Sequence, residues 1–210
     1  MENITLYMWA TPNSRRASIL LEELGLDFRI EPVNIRAKEQ FASEILSLNP
    51  YCKVPIITWR EGSEDHSLFE SGAILIFLAE KYGRFLPSSA AEKSLVLSWL
   101  MISLTSLGPH SSQTHHWSAL AAETSPAALE HCASLVERVY RVLDERLADN
   151  RFLAGDYSIA DIAAYPWVTC SDWTTLDIHD FPNIIRWRDE IAGRPTVARA
   201  MALPEGVSLD

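Results

Sequence analysis

The chain has 210 residues, of which 48 % are hydrophobic and 22 % charged, enough apolar material to bury a core without disulfide or metal support. A net charge of −10 excludes the basic footprint that nucleic-acid phosphates require. No run of about twenty apolar residues offers a membrane span. Met1-Glu2-Asn3-Ile4 has neither the basic nor the apolar character of a targeting segment. Cys52, Cys132 and Cys170 are odd in number and form no CxxC or zinc-type spacing, so no metal is expected and a reducing cytoplasm is the expected location.

Ile4-Thr5-Leu6-Tyr7-Met8 reads as a buried strand, followed by a turn over Ala10-Thr11-Pro12-Asn13-Ser14. A helix is expected to start near Asn13 or Ser14, both good caps. Ala17, Leu20, Leu21 and Leu24 recur along one helical face, and Gly25 stops it. Asp27 to Val33 is the next strand, and a shorter helix between Lys38 and Leu48 carries Phe41, Ile45 and Leu46. Val54 to Trp59 is strand-like, Arg60 to His66 reads as a polar hairpin turn containing Gly62, and Ser67 to Phe69 returns as a strand. The apolar helix after Glu70 closes a β-α-β-α-β-β-α unit over residues 1–83, a plausible small domain. Residues 84–90 read as a linker, and 91–210 as an all-helical domain. There, Leu95, Leu97, Trp99, Leu100 and Ile102 lie on a mostly apolar helix that Gly108-Pro109 breaks or kinks. Glu130 to Leu147 is amphipathic. Ser158-Ile159-Ala160-Asp161 is a capping-box variant, with Tyr157 and Ile162 as its staple, and Pro182-Asn183 opens a final helix through Ile191.

The chemistry concentrates at Glu70-Ser71. A helix start presents unpaired N–H groups and a positive dipole end, which favour a carboxylate. Ser71 adds a hydroxyl donor, and Glu70 an acceptor for an ammonium group. Together they suit the charged head of an amino acid. Upstream, Lys53-Val54-Pro55 supplies an extended segment ending in proline. The pair points to a site for a small peptide with a free α-amino-acid end. The plainer alternative is that Glu and Ser only cap the helix.

The β-α-β-α-β-β-α order, Val54-Pro55 and Glu70-Ser71 resemble the thioredoxin-like domain of glutathione S-transferases. The helical second half resembles their C-terminal domain, and Tyr157-Ser158-Ile159-Ala160-Asp161 resembles their N-capping box. The expected fold is therefore an α/β thioredoxin-like N-terminal domain followed by an all-α helical C-terminal domain. Thr11-Pro12-Asn13, Glu39-Gln40, Phe69-Glu70-Ser71-Gly72-Ala73-Ile74, and Leu107-Gly108-Pro109 with Gln113 and His115-His116 are similar to the bacterial nu class. The match covers nearly the whole chain.

The resemblance implies a role for each residue. Val54 would pair its backbone with the cysteinyl backbone of glutathione as an added strand, with a cis peptide before Pro55. Glu70 and Ser71 would hold the γ-glutamyl end, and Gln40 and Lys53 the glycyl end; alternatively Lys53 is a solvated loop lysine. A free thiol has a pKa near 8.5 and needs stabilisation to react as thiolate at neutral pH. The nu-like pattern assigns this to the Thr11 hydroxyl and the Asn13 amide, which otherwise serve as turn and cap residues. Tyr7 falls in the strand, with its direction open.

Three features depart from the family pattern. Tyr51-Cys52 stands where Asn-Gly is common, Ser14 replaces a glycine, and His131 lies where some relatives carry an arginine. His110, His115 and His116 do not converge as metal ligands require. The resemblance implies an enzyme in which glutathione thiolate reduces a disulfide, attacks a small electrophile or reduces a peroxide. A glutathione-dependent lyase or isomerase is a narrower alternative, and a non-catalytic binding protein on the same fold the competing one. It also implies a homodimer, with a second substrate selected by the helical half and by the tail after Pro195, of which Arg199 and Pro204 to Asp210 either cover the site or hang free.

Overall fold

The computed structural model describes residues 1–123 and 125–207; Ser208 to Asp210, the end of the tail considered above, lie outside the described residues. The chain divides into two compact units, one of Met1–Arg84 joined by the chain from Arg194 on, the other of Phe85–Gly193.

The first unit runs β1 (Glu2–Met8), α1 (Pro12–Leu24), β2 (Phe28–Pro32), a 3-10 turn (Glu39–Phe41), α2 (Ser43–Leu48), β3 (Ile56–Glu61), β4 (Glu64–Phe69) and α3 (Ser71–Tyr82). This is the expected order. The sheet is arranged β2-β1-β3-β4. β1 pairs parallel with β2 and antiparallel with β3, and β3 pairs antiparallel with β4. Ile4, Leu6 and Met8 alternate into the core, as a half-buried strand dictates. Ala17, Leu20 and Leu21 are fully buried on α1, and Gly25 ends that helix in the left-handed conformation.

Local chemistry explains where the boundaries differ from expectation. α1 starts at Pro12, because a proline's fixed φ and missing N–H suit the first helical position, and this moves the cap back to Thr11. The expected Lys38–Leu48 helix splits in two, because Ala42 is extended (φ −61°, ψ 147°). β3 starts only at Ile56, after Pro55, which has no N–H for a ladder. The polar stretch from Arg60 to His66 is mostly strand. β3 and β4 continue to Glu61 and Glu64, and Gly62 turns the chain at φ +62°.

Helix α9 (Pro195–Met201) completes this unit against α1. Arg194 donates two hydrogen bonds to the Glu23 carboxylate, at 2.6 and 2.8 Å, and Thr196 donates a third at 2.7 Å. Ser18 Oγ donates to the Ala200 carbonyl at 3.2 Å, and Val197 and Ala200 are fully buried. Burial pushes the Glu23 pKa up, but the bonds from Arg194 and Thr196 outweigh it and hold the carboxyl below its ordinary value. The segment after Gly193 thus packs with the first unit rather than with the helices that precede it.

The second unit holds α4 (Ala90–Ile102), α5 (Gly108–His115), α6 (Pro126–Ala148), α7 (Ile159–Val168) and α8 (Pro182–Ala192). Gly108-Pro109 does not break the chain. A π-helical turn, Ser103–Leu107, carries α4 into α5, and its wider spacing accommodates the missing Pro109 N–H. A Cβ on Gly108 would meet the Trp167 indole at 3.0 Å. The capping box forms. Ser158 Oγ accepts from the Ala160 N–H at 3.3 Å, and Asp161 accepts from the Ser158 N–H at 3.0 Å. Asp161 also accepts from the Leu153 N–H and from Trp187 Nε1, both at 2.9 Å. Tyr157 rests against Phe85 and Phe152. Among the described residues, no helix is long and apolar enough to cross a membrane.

Candidate functional site

Three segments of the first unit meet at one cleft: the start of α1, the loop before β3 and the β4–α3 corner. The cleft is small, about 100 Å³, and is lined by Asn13, Asn49, Lys53, Val54, Pro55, Glu70 and Ser71. Six of the eight residues singled out in the sequence therefore line one cavity. The Val54-Pro55 peptide is cis. The β3 ladder begins one residue later, at Ile56, so Val54 lies just outside it.

Glu70 is not an ordinary cap. It occupies the N-cap position of α3, yet its side chain makes no capping hydrogen bond, and its backbone holds φ +70°, ψ 114°. Such a conformation costs a non-glycine residue of order 1–3 kcal/mol, and this class of strain clusters at ligand clamps. The carboxylate is exposed at the cleft while its carbonyl accepts the Ile74 N–H at 2.9 Å. Ser71 is the first residue of α3 and is buried.

Thr11 and Gln40 do not line the cleft. The Thr11 hydroxyl donates to Ser14 Oγ at 3.1 Å and accepts the Ser14 N–H at 3.3 Å, so it closes the first turn of α1. Gln40 sits half-buried in the 3-10 turn, and its Oε1 is buried without a hydrogen-bond partner. Tyr7 packs against the Val33, Ile45 and Ile56 cluster. Burial raises its pKa, with Glu44 and Glu31 adding to the effect, and Tyr7 does not line the cleft.

Two contributors are not evident in the sequence. Asn49 is buried, and its amide donates to the Lys53 carbonyl at 2.7 Å while its Oδ1 accepts the Tyr51 N–H at 2.9 Å. It shapes the loop that presents Lys53 and Val54. The Asn-Pro pair at 49–50 is a turn signal that marks it. Lys53 is exposed, with its ammonium 4.2 Å from the Tyr51 ring centre. Arg16 is the second contributor, 3 % exposed on α1. Its Nη1 donates to Asn13 Oδ1 at 2.8 Å and to Ser71 Oγ at 3.2 Å. Burial lowers its pKa to about 9, with Glu70 supporting the charge, so it is a cation at neutral pH. A charge one turn before Leu20, on the buried stripe of α1, is the sequence signal for it.

Chemically, the cleft offers an exposed cation, one carboxylate, a hydroxyl, two amides and a backbone edge, with the buried Arg16 cation behind Asn13 and Ser71. That inventory fits a zwitterionic peptide. No cysteine lines it, and no group of His, Cys, Asp and Glu able to hold a metal occurs among the described residues.

Comparison with known proteins finds matches over nearly the whole chain. Residues 10–81 match the model of the glutathione S-transferase N-terminal domain, and residues 99–195 that of the C-terminal domain. The chain is 39 % identical over 202 residues to the disulfide-bond oxidoreductase YfcG of Escherichia coli, covering 94 % of each protein. It is also similar to a glutathione transferase structure from Burkholderia graminis that holds two glutathione molecules per subunit. The TM-score is 0.90 at 34 % identity, over 98 % of this chain and 90 % of that one. A glutathione transferase structure from Pseudomonas putida, which holds one glutathione disulfide per subunit, gives a TM-score of 0.90 at 32 % identity, over 97 % of this chain and 92 % of that one. The chain belongs to the glutathione S-transferase family.

Proposed function

We propose that this protein binds glutathione in the cleft of its first unit and uses the bound thiolate to reduce disulfides. In this reading Glu70 receives the γ-glutamyl ammonium, and Ser71 with the α3 N-terminus receives its carboxylate. Val54 pairs with the cysteinyl backbone, and Lys53 and Gln40 hold the glycyl end. Asn13 donates to the sulfur. Thr11 shapes the helix start beneath it and can turn its proton to the sulfur only by giving up Ser14 Oγ. The observation that carries the reading is the convergence of Asn13, Val54, Glu70 and Ser71 on one cavity.

The chemistry balances without an enzyme cysteine. The bound thiolate attacks one sulfur of a disulfide, forming a mixed disulfide and expelling the other sulfur as thiolate. A second glutathione thiolate then attacks the glutathione sulfur of the mixed disulfide, giving glutathione disulfide and the second substrate thiolate. Two glutathiones supply both electrons. The described relatives, one named as a disulfide-bond oxidoreductase and one holding two glutathiones per subunit, support this assignment. The same thiolate serves conjugation of small electrophiles or peroxide reduction. A homodimer in the cytoplasm is part of the proposal.

Calorimetry with glutathione, paired with turnover of 2-hydroxyethyl disulfide, tests it. Binding accompanied by turnover is expected, and Asn13→Ala lowers turnover more than affinity. Binding with no turnover on disulfide, peroxide or aryl halide rejects the enzymatic reading in favour of a binding protein.

A further inference from the structure

Resting on the reading that the cleft binds glutathione, we infer that Arg16 is a positioning residue that fixes Asn13 and Ser71 as hydrogen-bond donors toward the ligand. Both groups are ambivalent by themselves. An asparagine presents either its oxygen or its NH₂, and a serine hydroxyl both donates and accepts. Arg16 removes the ambiguity, because a guanidinium only donates. Its Nη1 takes Asn13 Oδ1 at 2.8 Å, which commits the carbonyl end of that amide to the protein interior. The NH₂ end is then the one directed away from Arg16, and Asn13 lines the cleft. The same Nη1 takes a lone pair of Ser71 Oγ at 3.2 Å, leaving the hydroxyl proton to be donated elsewhere. Ser71 lines the cleft as well.

The two donors serve different parts of one ligand: the Asn13 NH₂ favours an ionised sulfur over a thiol, and the Ser71 hydroxyl favours a carboxylate. A buried cation behind them adds a favourable potential for both anions. Its cost is offset by Glu70, the carboxylate closest in effect to the guanidinium. Arg16 touches no ligand itself. It acts through the two side chains that do.

The test compares Arg16→Gln and Arg16→Lys with the unsubstituted protein. The ultraviolet absorbance of bound thiolate is titrated against pH, and the affinity for S-methylglutathione is measured in parallel. Arg16→Gln should raise the pKa of the bound thiol by about one unit or more, the usual effect of losing a neighbouring opposite charge. Its turnover should fall about tenfold at pH 6.5 and recover toward pH 9, and its affinity for S-methylglutathione should drop several-fold. Arg16→Lys should restore most of both. An Arg16→Gln protein that is less stable but keeps the parent's thiol titration overturns the inference and leaves Arg16 a packing residue. If Arg16→Gln does not fold, a crystal structure of the unsubstituted protein with glutathione decides. Arg16 bonded to Asn13, with the Asn13 amide nitrogen against the sulfur, supports the inference, and Arg16 withdrawn from Asn13 overturns it. If the unsubstituted protein binds no glutathione, it is the functional reading that fails, whatever the variants do.

Discussion

The buried Asn49 holds the Lys53 carbonyl at 2.7 Å across four residues, so one side chain dictates the path of the loop that leads into Val54-Pro55. Asn49→Ala deletes that bond and the one from the Tyr51 N–H, leaving both backbone groups to find water. The expected cost is about 1–3 kcal/mol of stability. Glutathione affinity should fall by more than that of a control substitution on α6, because the loop no longer presents Lys53 and Val54 in a fixed register. Urea denaturation and calorimetry on the same preparation check both effects. Unchanged affinity would show that the loop keeps its shape without Asn49.

Cys52 sits in that loop at φ +54°. The left-handed region penalises a side chain but not a glycine. Cys52→Gly should therefore raise thermal stability slightly, by less than about 1 kcal/mol once the greater freedom of the unfolded glycine is counted. Disulfide reductase activity should persist, since the proposed electron path needs no cysteine. Loss of turnover in this variant would require a different mechanism.

Asp161 carries a pH dependence of its own. Complete burial raises its carboxyl to about 6, against the hydrogen bonds from Leu153, Trp187 and Ser158 that pull it down. The folded state thus holds this proton more tightly than the unfolded chain, whose aspartates titrate near 3.9. Its contribution to stability is full below about pH 4 and is lost as pH rises through about 6, by at most about 3 kcal/mol. The stability difference between the protein and Asp161→Asn, measured in urea from pH 4 to 8, should shrink across that window. A difference that grows with pH would contradict the burial argument.

Glu23 behaves in the opposite sense. Its carboxyl lies below the ordinary range, so its contribution is present above the unfolded pKa near 4.3 and is lost as pH falls through the folded value. Glu23→Gln should cost about 1–2 kcal/mol at pH 7, because Arg194 is then left with a neutral partner. The deficit should vanish in acid. Amide exchange in α9 should accelerate before that in α3, which identifies the weakened contact.

Local patterns carried much of this architecture. The alternation of Ile4, Leu6 and Met8, the stripe of α1 and the Ser158–Asp161 box are legible because neighbours in sequence create them. The cleft was legible at Val54-Pro55 and Glu70-Ser71 for a similar reason: helix starts and prolines leave short-range marks. Arg16 was legible only as a charge on the buried stripe of α1, because its partner Ser71 lies 55 residues away. Asn49 reads as a turn residue, and only the loop's closure gives it a role. α9 was missed because Pro195 to Met201 is too short to show a clear apolar period, and its burial depends on Glu23 and Ser18 far upstream.

The return of the chain to α1 has a consequence for biosynthesis. A ribosome releases the sheet and its first three helices early, yet Val197 and Ala200 emerge more than a hundred residues later. Until they do, the nascent first unit exposes an apolar strip and an unpaired Glu23 to the cell. Synthesis must pass Ala200 before the sheet and helices made ahead of it can seal themselves.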